Sequence, residues 1–314
     1  MRVGLVLGGG GVRGASWLMG ALHGLVAATG WDPAGADLLV GTSAGAVVGA
    51  LATSGAKPWD ALAPDRDDLL QALLEATNFR VQLNWRWLTP GSPSLLGRAL
   101  RGGPAQVMKA VAGVLPEGFV STNSIARLIS DQAPGGWPAG QKLWIVAMDY
   151  ASGERVVFGR PGSPEAKLAA AVAASCAIPG FYRPVEIGGR RYVDGGVHTG
   201  SNLDLLAGER LDLVICLNPL SSRAGAPVVF WPVRMLLHQQ LLPQIRSVEQ
   251  TGSRVVAIEP DGTSIRLIGF NPMSRRRLAQ IGIAASREVQ QYLDQPEVSG
   301  KIAGLGPPGS PRRK

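Results

Sequence analysis

The sequence predicts an α/β fold built on a mainly parallel sheet, and three features predict it. Arg2–Leu7 and Asp37–Thr42 are apolar runs short enough for buried strands, each leads through small residues into a segment of helical spacing, and those segments stop at Gly30 and near Gly55. Short apolar runs between turn signals read as buried strands, and apolar residues every three or four positions read as helices. The helical segments are Ala15–Thr29 and Ser43–Thr53. Strand, helix, strand and helix at this spacing imply parallel neighbours joined by right-handed crossovers.

The rhythm breaks after residue 57. Asp67–Ala76 and Val107–Leu115 look helical, with loop signals at Pro90-Gly91-Ser92-Pro93 between them, so residues 57–120 are expected to form an insertion over the sheet. A helix is expected to start at Ser121-Thr122-Asn123. Strands follow at Leu143–Met148 and Val156–Phe158, then a helix at Lys167–Ser175. Arg190–Val193, Leu211–Leu217 and Arg254–Ile258 read as strands, and Ser274–Leu293 as a closing helix. One domain is expected over residues 1–303. The basic stretch Gly304–Lys314, rich in Gly, Pro and Ser, is expected to be a disordered tail. No internal repeat interrupts this order.

Composition narrows the function classes. Hydrophobic residues make up 46% of the 314 and charged residues only 17%, enough for a large core. No apolar run approaches the roughly 18 residues of a spanning helix, and Val3–Leu7 is too short for a secretory signal. The expected location is cytoplasmic. Cys176 and Cys216 lie in apolar surroundings and read as buried free thiols, and two cysteines with three histidines are too few to point to a metal site. No metal or cofactor is expected.

The net charge is +8 and unevenly spread: between residues 80 and 127 the bases are Arg80, Arg86, Arg98, Arg101, Lys109 and Arg127, against Glu117 alone. No nucleic-acid recognition motif accompanies the charge, so nucleic acid is not an expected partner. An anionic membrane surface is the other candidate. Trp85-Arg86-Trp87 and Val228–His238 suit either a membrane interface or a lid over the cleft. The sequence leaves the oligomeric state open.

The chemistry concentrates in three motifs. Gly41-Thr42-Ser43-Ala44-Gly45, between a strand and a helix, fits a nucleophile elbow: small flanking residues allow a tight turn that lifts the serine hydroxyl above the sheet. Gly8-Gly9-Gly10-Gly11-Val12-Arg13-Gly14 follows the first strand, where backbone N–H groups can stabilise an oxyanion. Its rival reading is a dinucleotide fingerprint, Gly9-x-Gly11-x-x-Gly14, but the end of the second strand carries Thr42-Ser43 in place of the ribose-binding acid. Arg13 has two expected partners, an oxyanion or substrate phosphate on one hand and a local carboxylate on the other. A serine nucleophile needs a base. His23, His198 and His238 carry no base signature. Asp194, in Tyr192-Val193-Asp194-Gly195-Gly196, can be aimed into a cleft by its two glycines, although such turns are common as plain structure.

Together, in this order, the three motifs and the run Ala174-Ser-Cys-Ala-Ile-Pro-Gly-Phe181 resemble the patatin-like phospholipase family over residues 3 to about 217, with the insertion poorly matched. The resemblance implies a three-layer α/β/α sandwich and hydrolysis of lipid acyl esters by a Ser-Asp dyad without metal. It makes Ser43 the nucleophile and Asp194 the base. Gly9, Gly10 and Gly11 become the oxyanion hole, and Arg13 takes the family's basic position. One departure is His198-Thr-Gly-Ser-Asn202-Leu-Asp204, where many members have an Asn-x-Pro. Two alternatives stand beside it: a small-ester or thioester hydrolase with a Ser-Asp-His triad through His198 or His238, and a catalytically idle scaffold of the same fold.

Overall fold

The computed structural model describes residues 1–62, 75, 91–101, 107–140, 142–222 and 231–306. The expected helix at Asp67–Ala76, apart from Glu75, the Trp85-Arg86-Trp87 cluster, Val228–Phe230 and the tail from residue 307 lie outside them.

The architecture is the expected three-layer α/β/α sandwich. Eight strands form one sheet: β1 (Val3–Leu7), β2 (Leu38–Thr42), β3 (Lys142–Asp149), β4 (Arg155–Phe158), β5 (Val185–Ile187), β6 (Arg190–Asp194), β7 (Leu213–Leu217) and β8 (Arg254–Ile258). β3, β2, β1, β7 and β8 run parallel side by side, while β4 and β6 pair antiparallel with β3, and β5 forms a hairpin with β6. β1, β2 and β7 are buried end to end because helices cover both faces.

The register on β3 places the ends of two strands together. Ile145 and Val146 pair with both β2 and β4, and Ala147 and Met148 pair with both β4 and β6. A strand has two edges, so β2 and β6 share the edge opposite β4, in tandem. Thr42 stands beside Val146 and Asp194 beside Ala147. The strand running up to Ser43 therefore meets, end to end, the strand that finishes at Asp194.

One face of the sheet is covered by α1 (Gly11–Thr29), α2 (Ala44–Thr53), α5 (Asn123–Gln132), α6 (Leu168–Ser175) and α9 (Leu278–Leu293), through a core that includes Leu5, Leu7, Trp17, Leu22, Leu39, Leu51 and Ile281. The other face packs Val6, Leu38, Val40, Val214 and Cys216 against Leu203, Leu206, Leu241 and Val248, the last two on α7 (Trp231–Glu249). The described part of the insertion contains α3 (Pro93–Arg101) and α4 (Val107–Val114); Leu95 and Ala112 pack on Met148, Tyr150, Val193 and Val197, beside the end of β6. α8 (Gly262–Ile268) and α10 (Pro296–Lys301) complete the chain.

Several expected boundaries move. α1 begins at Gly11 rather than Ala15, so the glycine run is partly the first helical turn. The loop expected at Pro90–Pro93 ends in the first residue of α3, where proline's fixed φ suits a helix start. The expected helix Ser274–Leu293 starts only at Leu278, and α7, α8, α10 and β5 have no counterpart in the expectations. Among the described residues, no helix is long and apolar enough to cross a membrane.

Candidate active site

Ser43 closes β2 and opens α2. Its φ of 53° and ψ of −117° lie where a residue with a side chain is disfavoured, as in a strand-to-helix elbow. Close packing explains the flanking glycines. A Cβ on Gly41 would lie 2.7 Å from the Ala46 Cα, and one on Gly45 would run into the Leu7 carbonyl. The Ser43 main chain is held by the segment after α6. Its N–H donates to Ser175 Oγ at 2.8 Å, Ser175 Oγ donates to the Val146 carbonyl at 2.6 Å, and Cys176 Sγ donates to the Ser43 carbonyl at 3.3 Å.

Asp194 arrives from the opposite direction. Its N–H donates to the Ala177 carbonyl at 3.0 Å. Its carboxylate accepts from the Gly196 N–H at 2.7 Å, and the Ser43 hydroxyl is near enough to favour its charged form. Gly195 presses on β3, where an added Cβ would lie 2.5 Å from the Val146 carbonyl. Ser43 is 5% exposed and Asp194 6%. Burial pushes the Asp194 carboxyl up to about 6, and its hydrogen bonds to Ser43 and Gly196 hold the rise in check.

The glycine loop lies against this pair: a Cβ on Gly9 would stand 3.5 Å from Ser43 Cβ. The three expected donors are not equivalent. The Gly9 N–H already donates to the Gly200 carbonyl at 2.9 Å, so Gly9 shapes the loop instead of offering a free donor. The Gly10 and Gly11 N–H groups have no acceptor among the described residues, and they sit at the N-terminus of α1. Gly14 donates to the Gly10 carbonyl at 2.9 Å and closes the turn. Of the two contacts expected of Arg13, the described residues do not supply the local carboxylate. Its guanidinium donates to the Ile268 carbonyl and, at 2.8 Å, to Ser274 Oγ, so it ties α1 to the segment before α9, with no carboxylate at ion-pair distance among the described residues.

The histidines stand apart from the pair. His23 bonds Ser286 Oγ at 3.0 Å between α1 and α9, and His238 on α7 bonds the Glu259 carboxylate at 2.8 Å. His198 follows the Asp194 turn, but no hydrogen bond joins it to Ser43 or Asp194. Burial, with Arg155 and Lys109 nearby, pushes it down to about 4 and so keeps it neutral near pH 7. Both cysteines are free and buried. Among the described residues, no group of three or more His, Cys, Asp and Glu could hold a metal ion.

Three contributors had no assigned task in the sequence reading. Ser175 and Ala177 lie in the run Ala174–Phe181, which carried meaning only through family likeness; they fasten the backbones of Ser43 and Asp194. Asn202 takes the place of the Asn-x-Pro. It is fully buried in a left-handed conformation (φ 57°), and its Nδ2 donates to Thr42 Oγ1 at 3.1 Å, one residue before the serine. Arg155 then donates to Asn202 Oδ1 at 3.3 Å and grips Asp204 with two bonds of 2.8 and 2.7 Å.

Residues 5–207 match the family model for patatin-like phospholipases. The chain is 31% identical over 224 residues to uncharacterised NTE family proteins of Mycobacterium bovis and Mycobacterium tuberculosis, covering 71% of this chain and 51% of theirs. It thus spans about half the length of the curated relatives it matches. Among solved structures, VipD from Legionella pneumophila aligns over 93% of this chain and 67% of its own, with a TM-score of 0.46 and 14% identity.

Proposed function

The chain belongs to the patatin-like phospholipase family, and on that premise we propose that it hydrolyses acyl esters of phospholipids or related lipids, with Ser43 as nucleophile and Asp194 as general base. The observation that carries this reading is the buried Asp194 carboxyl set against the Ser43 side chain, whose hydroxyl holds its pKa down, with no histidine bonded to either among the described residues. Ionised Asp194 takes the hydroxyl proton as Ser43 Oγ attacks the ester carbonyl. Negative charge then develops on the carbonyl oxygen, and the Gly10 and Gly11 N–H groups at the positive end of α1 stabilise it. Protonated Asp194 gives the proton to the leaving alcohol, and water repeats the sequence to release the acid. Burial helps here: a carboxylate raised to about 6 is a stronger base than an ordinary one and is still ionised near pH 7.

The same reading has the protein meeting an anionic membrane face peripherally. Supporting it are the exposed apolar side chains of the insertion, Leu100 (71% exposed) and Val107 (57%) among them, beside Arg98 and Arg101. The test is a fluorophosphonate probe together with ester turnover. The probe is expected to label the protein but not Ser43→Ala, and His198→Ala is expected to keep most of its turnover. Labelling of Ser43→Ala, or a loss of about 10⁴ in His198→Ala with Asp194→Asn nearly silent, would refute the dyad.

A further inference from the structure

Away from the Ser43–Asp194 pair, α3, α4, the β3–β4 turn and the segment after Asp194 line a pocket of about 730 Å³. Its wall carries Arg98, Lys109, Arg155, Arg160 and His198, with Glu154 as its acid. Arg155 is paired, through Asp204. Arg160 lies over the Trp144 ring at 5.0 Å, and among the described residues neither it nor Arg98 nor Lys109 has a carboxylate within ion-pair distance. His198 Nδ1 is buried without a hydrogen-bond partner among those residues. The crowding has a cost. Burial, then the neighbouring Arg155, pushes the Lys109 ammonium down. Four cations face the two carboxylates of Glu154 and Asp204, an excess of two that matches a phosphate monoester, which carries roughly −1.5 to −2 near neutral pH.

We propose that this pocket binds a phosphate monoester group, held by Arg98, Lys109 and Arg160 at its mouth and by Arg155 and His198 at its floor. Guanidinium and ammonium donors converging on one tetrahedral anion give short, charge-assisted bonds. The pocket connects to the reacting serine through Arg155, Asn202 and Thr42. Its occupant therefore bears on the nucleophile turn without touching it. The phosphate is either a lipid head group or a soluble ester. Only the first source rests on the lipid-hydrolase reading.

The test uses the full chain carrying Ser43→Ala, so that binding is read without turnover. Inorganic phosphate is titrated calorimetrically at fixed ionic strength with chloride as control, and then glycerol 3-phosphate. Saturable binding is expected, weakened about tenfold or more when Arg98→Gln and Lys109→Gln are added together. Thermal melting of that variant confirms its fold, and single variants replace it if the pair fails to fold. No saturable phosphate binding, or an unchanged affinity in the folded variant, overturns the proposal. Phosphatidylcholine vesicles with and without phosphatidic acid separate the sources. A charge-dependent loss confined to phosphatidic acid vesicles identifies a lipid head group, and a loss confined to soluble phosphate identifies a free ester. Because the protein lacks its nucleophile, failure here leaves the hydrolase reading standing, and failure of the probe experiment leaves this one standing.

Discussion

Ser43 and Asp194 each end a strand and meet at one point, yet they are held in opposite ways. Ser43 bears its cost in the backbone, at φ 53°, where a non-glycine residue loses about 1–3 kcal/mol. Asp194 has an ordinary backbone, at φ −51° and ψ 128°. Its cost is electrostatic: a carboxylate sealed from water and raised to about 6. The turn at Ser43 is thus a problem of shape, solved by Gly41, Gly45 and Ser175. The turn at Asp194 is a problem of solvation, answered in part by the Gly196 N–H and the Ser43 hydroxyl. Under the proposed dyad each group is kept reactive by a different form of local instability, so removing each should leave a different stability signature.

The largest effect is expected from Ser43→Gly, which should lower ester turnover about 10⁴-fold or more while raising the melting temperature at pH 4, where Asp194 is protonated and no longer draws on the hydroxyl, because glycine accepts the elbow without strain. The gain should be on the order of 1 kcal/mol after glycine's own entropy cost. A melting temperature below that of the parent would break the backbone half of the comparison. Asp194→Asn should cost about 10³-fold in turnover, and its stability effect should depend on pH. A carboxyl raised in the folded state is unpenalised below its ordinary range and weakens the fold as pH rises through about 6. Removing that charge should therefore stabilise the protein by roughly 3 kcal/mol at pH 8 and by little at pH 4. Equal stabilisation at both pH values would show that charge is not the cause. For the parent protein, kcat/KM should fall as pH drops through about 6 and the base protonates. The smallest effect sharpens the link between the two turns. Asn202→Ala removes the bond to Thr42 Oγ1 and should lower kcat about tenfold or less with KM nearly unchanged, read with a soluble ester. An unchanged kcat would make Asn202 a purely structural residue.

The contrast also explains what the sequence made legible. The elbow is local: strand, five small residues and helix lie within a short stretch, and its residues are readable from spacing alone. Asp194 is legible only as a turn, because what brings it to Ser43 is the pairing of Thr42 and Asp194 with successive residues of β3, more than a hundred residues from the elbow. The roles of Ser175, Ala177 and Asn202 are hidden for the same reason: a small residue in a small-residue run carries no local mark of what it will bond. Helical spacing placed the start of α1 at Ala15 because glycines add nothing to an apolar pattern, although Gly11 already turns with the helix. Arg13 makes the same point, since Ile268 and Ser274, which its guanidinium bonds, lie far from it in sequence.

The tandem strands on β3 have a consequence for how such a protein can change. Side chains alternate across a sheet, so sliding β6 by one residue on β3 would send Asp194 to the opposite face without breaking the ladder as a whole. A single-residue insertion in the β5–β6 hairpin, at Gly188-Gly189, would be absorbed by the loop, whereas one inside β6 would reset the strand's phase. If the pair is the proposed dyad, the seam between β2 and β6 makes catalysis a matter of counting: a drift of one position silences the pair while most of the buried core stays in place.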